Sequence, residues 1–146
     1  MARWTDVVSS APEFAATVQR IFDANRHKTI ATLRVDGAPR ISGIEAEFKG
    51  GELTFGSMPG ARKGADLRRD RRFALHSASV DPPEGDPSGW QGDAKISGRA
   101  VPTKSRHADM FRADIAEVVL TRVGTPADHL VIQLWRPGRE ITVTRR

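Results

Sequence analysis

The sequence predicts a mainly β protein with flanking helices, arranged as a small antiparallel barrel of six to seven strands. Three observations carry that expectation. Two glycine turns, Asp36-Gly37 and Gly50-Gly51, separate short stretches whose apolar residues recur with a period of two. The turns are too short for parallel crossovers, so these strands pair antiparallel. Closing such strands into a barrel removes the exposed edges that an open sheet would present.

Along the chain, Ser10 to Arg26 reads as an amphipathic helix. Ser10 and Glu13 make a candidate capping box, Pro12 suits the first turn, and Phe14, Val18, Ile21 and Phe22 recur on one face. Next come TIATLRV and APRISGIEAEF around Asp36-Gly37, then ELTFGS after Gly50-Gly51. A short basic helix follows, opened by Arg62 and Lys63, and RFALHSASV alternates as a fourth strand. Asp81 to Gly92 is rich in Pro and Gly and reads as a surface loop, with Trp90 near its end. AKISGRAV is the fifth strand. Thr103 then caps an expected further helix, whose apolar face is Phe111, Ile115 and Val118 with Met110 beside it. HLVIQLW and EITVTR close the chain around Pro137-Gly138.

At 146 residues the chain suits one domain, residues 1–146, large enough to bury its own core. Cysteine is absent and the four histidines have no metal-ligand spacing, which argues against disulfides and against a zinc site. No apolar run is long enough to span a membrane, and MARWTDVVSS lacks the order of a secretory signal, so the expected location is the cytoplasm. A net charge of +5 points to anionic partners. A nucleic-acid barrel would need aromatic rings among its basic residues, and only Phe73 sits close to the basic cluster.

That cluster is local. Between Ala61 and Arg72 six basic residues stand against two acids, which accounts for four of the five net charges. Arg62 and Lys63 fall at a helix start, where unpaired N–H groups and the positive dipole end favour an anion, so they are candidate phosphate ligands. Arg68, Arg69, Arg71 and Arg72 read as flanking residues that pair with Asp66 and Asp70. No triad, nucleophile elbow or carboxylate pair stands out and tyrosine is absent, so no catalytic residue is assigned. A bound cofactor would supply most of any chemistry.

FGSMPGARKGADLRRDRRFAL followed by DAKISGRA resembles the split-barrel flavin-binding family that includes pyridoxamine 5'-phosphate oxidase and the deazaflavin (coenzyme F-420) reductases. The resemblance runs from the first helix to the last strand. It implies a six-stranded antiparallel split barrel that forms a homodimer and holds FMN or a deazaflavin in a groove between subunits. It also implies phosphate contacts from Arg40, Ser57, Arg62 and Lys63. Ile41, Ser42, Gly43 and Ile44 would line the isoalloxazine, with a polar ring-facing residue near Asp93 or Lys95. Bland roles stand beside these: Arg40 could pair with Glu45 or Glu47, and Ser57 could cap a turn.

The sequence departs from the oxidase pattern at Gly56, Ala61 and Glu45, where the oxidase has an aromatic, a Ser and a Lys. Pyridoxamine 5'-phosphate oxidase activity itself is therefore not expected. The implied function is a flavin- or deazaflavin-dependent oxidoreductase moving a hydride to or from a small organic substrate. The alternative is a non-catalytic carrier with the same cradle, motivated by the expected lack of the oxidase's substrate-holding segment after Trp135.

Overall fold

The computed structural model describes residues 2–146. Its first element was not anticipated. Helix α1 (Trp4–Ser10) starts where the Asp6 carboxylate accepts the Arg3 N–H at 2.8 Å, and it buries Trp4 and Val7. The chain breaks at Ala11 and restarts as α2 (Pro12–Asp23), with Pro12 in the first turn and Phe14, Ala15, Val18, Ile21 and Phe22 buried. The Ser10–Glu13 capping box does not form, because Ser10 ends α1 and Ala11 is the N-cap of α2. The Ser10 hydroxyl donates to the Asp6 carbonyl and accepts from Trp135 Nε1, each at 2.8 Å.

Eight strands follow in one antiparallel sheet: β1 (His27–Leu33), β2 (Pro39–Lys49), β3 (Glu52–Ser57), β4 (Arg72–His76), β5 (Asp93–Thr103), β6 (Asp109–Val123), β7 (Leu130–Trp135) and β8 (Thr142–Arg145). Their order is β3-β2-β1-β4-β5-β6-β7-β8, and an extra pairing of β3 with β6 closes the first six into a barrel. Gly50 and Gly51, with φ of 62° and 78°, make the tight β2–β3 turn that a side chain would strain.

The helix expected after Thr103 is strand β6. Asp109 to Arg112 pairs with β3 and Val118 to Val123 with β7, while β5 runs along the other edge. At the β-bulge Ser97 faces Glu117 and Gly98 faces Ile115, which leaves Ala116 as an extra residue. That extra residue shifts the alternation, so Phe111, Ile115 and Val118 all point inward. Spacings of four and three then imitate a helix. Gly98 is required at the bulge, since a Cβ there would lie 2.0 Å from the Asp114 carbonyl oxygen.

The core fills the barrel and extends under α1 and α2. Phe55 packs on Phe73 and Phe111, with centroids 5.0 and 6.0 Å away, and Trp4 lies 4.5 Å from Phe48. Helix α3 (Arg62–Arg69) lies between β3 and β4 in the chain, packs on β1 and β3, and buries Gly64, Asp66 and Leu67. Among the described residues no helix is long and apolar enough to cross a membrane.

Candidate functional site

A groove of about 740 Å³ runs along β2 and β3 to the start of α3, bounded by the segment that leads into β6. Gly43, Glu45, Gly56, Ser57, Lys63 and Met110 are among its lining residues. Gly43 lies mid-strand and exposed, and a Cβ there would meet nothing within 4 Å. Glycine weakens a strand, so the open floor above it leaves room for a flat group without a structural return. The Lys63 ammonium donates to the Gly43 carbonyl, tying the start of α3 to the groove floor.

Ser57 ends β3 with its side chain pointed inward, and its Oγ is buried without a hydrogen-bond partner. A Cβ on Gly64, in the first turn of α3, would stand 3.0 Å from that oxygen. The hydroxyl therefore lies against the end of the helix that carries unpaired N–H groups. Asp109, opposite Ser57 in the β3–β6 register, comes to the same place. Its Oδ1 accepts from Arg68 at 2.7 Å, and Oδ2 is buried without a partner. The Arg68 guanidinium holds this carboxyl below its ordinary range, with a smaller pull from the Gly60 N–H.

Arg40 turns toward α3, not toward Glu45 or Glu47. Its Nε donates to Asp66 Oδ2 at 2.7 Å, the Thr32 hydroxyl donates to the same oxygen at 2.8 Å, and Arg69 reaches Oδ1 at 3.3 Å. Burial raises the Asp66 pKa, but the bonds from Arg40, Thr32 and Arg69 outweigh it, so the carboxyl titrates below its usual range. Glu45 instead pairs with Arg26 at 2.9 Å. Of the flanking arginines, Arg69 joins Asp66 and Arg72 joins Asp70 as expected, whereas Arg68 crosses to Asp109.

The structure therefore gathers Gly43, Ile44, Ser57 and Lys63 at one groove and leaves the other expected residues around it. Arg62 is exposed on the first turn of α3. Strand alternation divides the Ile41 to Ile44 run: Ser42 and Ile44 face inward, while Ile41 and Gly43 face outward. Ile41 and Lys95 share a second hollow of about 350 Å³ with His76. Asp93 lies 3.5 Å from His76 Nε2. Trp90 donates Nε1–H to the Val80 carbonyl at 2.7 Å, which folds the loop back on itself. Asp109 escaped the sequence reading because it opens the strand taken for a helix, and its register with Ser57 depends on barrel closure.

No family model matches the chain, and no curated protein matches it. Solved structures do. A pyridoxamine 5'-phosphate oxidase-related, FMN binding protein from Nostoc punctiforme is 10% identical, with a TM-score of 0.64 over 100% of this chain and 97% of that one. The chain has the split-barrel fold of that protein. The split barrel of PhzG from Burkholderia lata, solved with tetrahydrophenazine-1-carboxylic acid, is 13% identical, with a TM-score of 0.60 over 93% of this chain and 87% of that one. An F-420 reductase matches at 14% identity and a TM-score of 0.50 over 70% of this chain and 93% of that one. Two longer neighbours, a protein of unknown function from Agrobacterium tumefaciens and a heme binding protein from Mycobacterium smegmatis, are spanned over 56% and 57% of their length.

Proposed function

We propose that the chain binds a flavin-type cofactor, FMN or a deazaflavin, and acts as an oxidoreductase on a small organic substrate. The observation that carries this reading is the buried, unpartnered Ser57 hydroxyl set against the start of α3, where Arg62 and Lys63 stand. A phosphate in that position accepts from the hydroxyl and from the free N–H groups of the first helical turn. Arg62 and Lys63 add charge-assisted contacts. Arg40, held through Nε by Asp66, keeps the rest of its guanidinium for a further phosphate contact.

Gly43 leaves the groove floor open for a ring system, and Ile44 supports the strand beneath it. When bound, the cofactor would supply hydride transfer. The protein's part is to hold the phosphate, orient the ring along β2 and exclude water. Ile41, 74% exposed on the outer face of β2, and Lys95 on β5 suit a second copy of this chain, whose arrival would cover the apolar surface and complete a homodimer. The motif order in the sequence and the FMN-binding and F-420 neighbours support the same cofactor class.

Titration of the purified protein with FMN and with coenzyme F-420, followed by fluorescence, tests the proposal. Binding of at least one below millimolar is expected. Failure of both removes the cofactor assignment, and tight binding with no turnover under any donor and acceptor pair would instead favour the carrier.

A further inference from the structure

We infer that the hollow beside His76 and Lys95 is a second ligand site, for a small, flat, mainly apolar molecule with a carbonyl-type acceptor that these two side chains hold. Calling that molecule the substrate rests on the cofactor groove proposed above; the site itself does not. On the outer face of the sheet Gly43 of the groove is paired with Thr29, and Thr29 with His76. His76 therefore stands two strand spacings, about 10 Å, from the open floor at Gly43. No side chain rises at Gly43 to part the groove from the hollow.

The hollow has a volume of about 350 Å³. Ala31 and Ala74, directly paired on β1 and β4, line it, and such small side chains leave a depression between larger neighbours. Ile41 adds apolar surface at its edge. An apolar lining of this size with a few polar groups is what a small-molecule pocket requires. The polar groups are Lys95 and His76, which face each other in the β4–β5 register. Lys95 is exposed and makes no ion pair among the described residues. The Ser77 carbonyl can only accept, so His76 Nδ1, 2.5 Å away, carries a proton. Nε2 then donates only when the ring is charged. It lies 3.5 Å from Asp93 Oδ2, so the carboxylate faces that charge without holding the proton in a firm hydrogen bond. The Nε2–H group is left to reach a ligand. From β1 the ring is faced by neutral Thr29, with His27 two positions along, and from β5 by Lys95 and Asp93. A second copy of the chain resting on Ile41, as proposed above, would roof the hollow.

Acetophenone is a suitable probe, and ethylbenzene has nearly the same shape without the acceptor. Each is titrated into the purified protein while the methyl NMR signals of Ala31, Ala74 and Ile41 are followed. Saturable shifts are expected, with acetophenone binding about tenfold more tightly than ethylbenzene. That advantage should fall about threefold or more in Lys95→Met, which keeps most of the stem and loses the charge. It should also fall on the alkaline side of the His76 titration, read from the ring's own signals, because Nε2 then has no proton to donate. Ethylbenzene should bind alike on both sides. Equal affinity of the two probes, or an advantage that ignores pH, would overturn the inference in the natural chain, whether or not Lys95→Met folds. Shifts that follow protein concentration and neither probe would show a second copy filling the hollow, and would overturn it too. If acetophenone behaves as expected while FMN and coenzyme F-420 both fail to bind, the site stands and the cofactor reading falls. If a cofactor binds and acetophenone does not, the reverse holds.

Discussion

Arg40 on β2 and Asp66 on α3 meet at 2.7 Å, with the Asp66 carboxylate buried and also bonded to Thr32 and Arg69. This link fixes the short helix against the barrel wall. Removing the carboxylate leaves two guanidinium groups and a buried hydroxyl without their common partner. Asp66→Ala is expected to destabilise the fold by about 2–4 kcal/mol, somewhat below a fully buried pair because Arg69 is partly exposed. Urea unfolding measures this, and Asp66→Asn, which preserves a Thr32 contact, should cost less.

Acid should weaken the fold in a defined window. Asp66, Asp70 and Asp109 all titrate below the ordinary aspartate value, and Arg72 holds Asp70 at about 2. A depressed carboxyl stabilises the folded state above its unfolded pKa of 3.8, and that contribution is lost as pH falls through the folded value. Melting temperature is therefore expected to be flat above about pH 5 and to drop between about pH 4 and pH 2. In Asp70→Asn the drop should be shallower.

Two glycines should respond in opposite ways. Gly43→Val adds a side chain into open space on a strand, so stability should hold or rise by up to about 1 kcal/mol while FMN affinity falls at least about tenfold. Gly98→Ala drives a methyl group into the Asp114 carbonyl and Ala116 nitrogen, which are backbone atoms that cannot turn aside. It should lose about 3 kcal/mol. Paired urea curves and fluorescence titrations compare the two variants.

The start of α3 can be tested through Arg62 and Lys63. Arg62 is exposed and its side chain makes no hydrogen bond or ion pair among the described residues, so Arg62→Ala is a clean probe of the ligand. Lys63→Ala also removes the tie to Gly43. The double variant should weaken FMN binding by about 1–3 kcal/mol, leave riboflavin binding unchanged and retain the native circular dichroism. Unchanged FMN affinity would show that the phosphate lies elsewhere.

Local patterns in the sequence were enough for the antiparallel class, the hairpins at Asp36-Gly37 and Gly50-Gly51, the α2 face and the basic helix that opens with Arg62 and Lys63. Each depends on neighbours a few residues apart. The pairing of Arg69 with Asp66 and Arg72 with Asp70 was legible for the same reason. Strand β6 was not, because one bulged residue, Ala116, gives a strand the spacing of a helix. Nor was α1, whose seven residues depend on packing Trp4 against Phe48.

The sequence by itself determined where positive charge, turns and apolar periodicity lie, and so which residues were candidates for holding a phosphate. Only the tertiary structure decided which of them meet. Closure of β3 on β6 sets Asp109 opposite Ser57, and strand alternation separates Gly43 from Ser42. The burial of Asp66 commits Arg40 to α3. Such contacts join residues 26 to 52 positions apart, and their geometry depends on barrel shear and register, which no local spacing encodes.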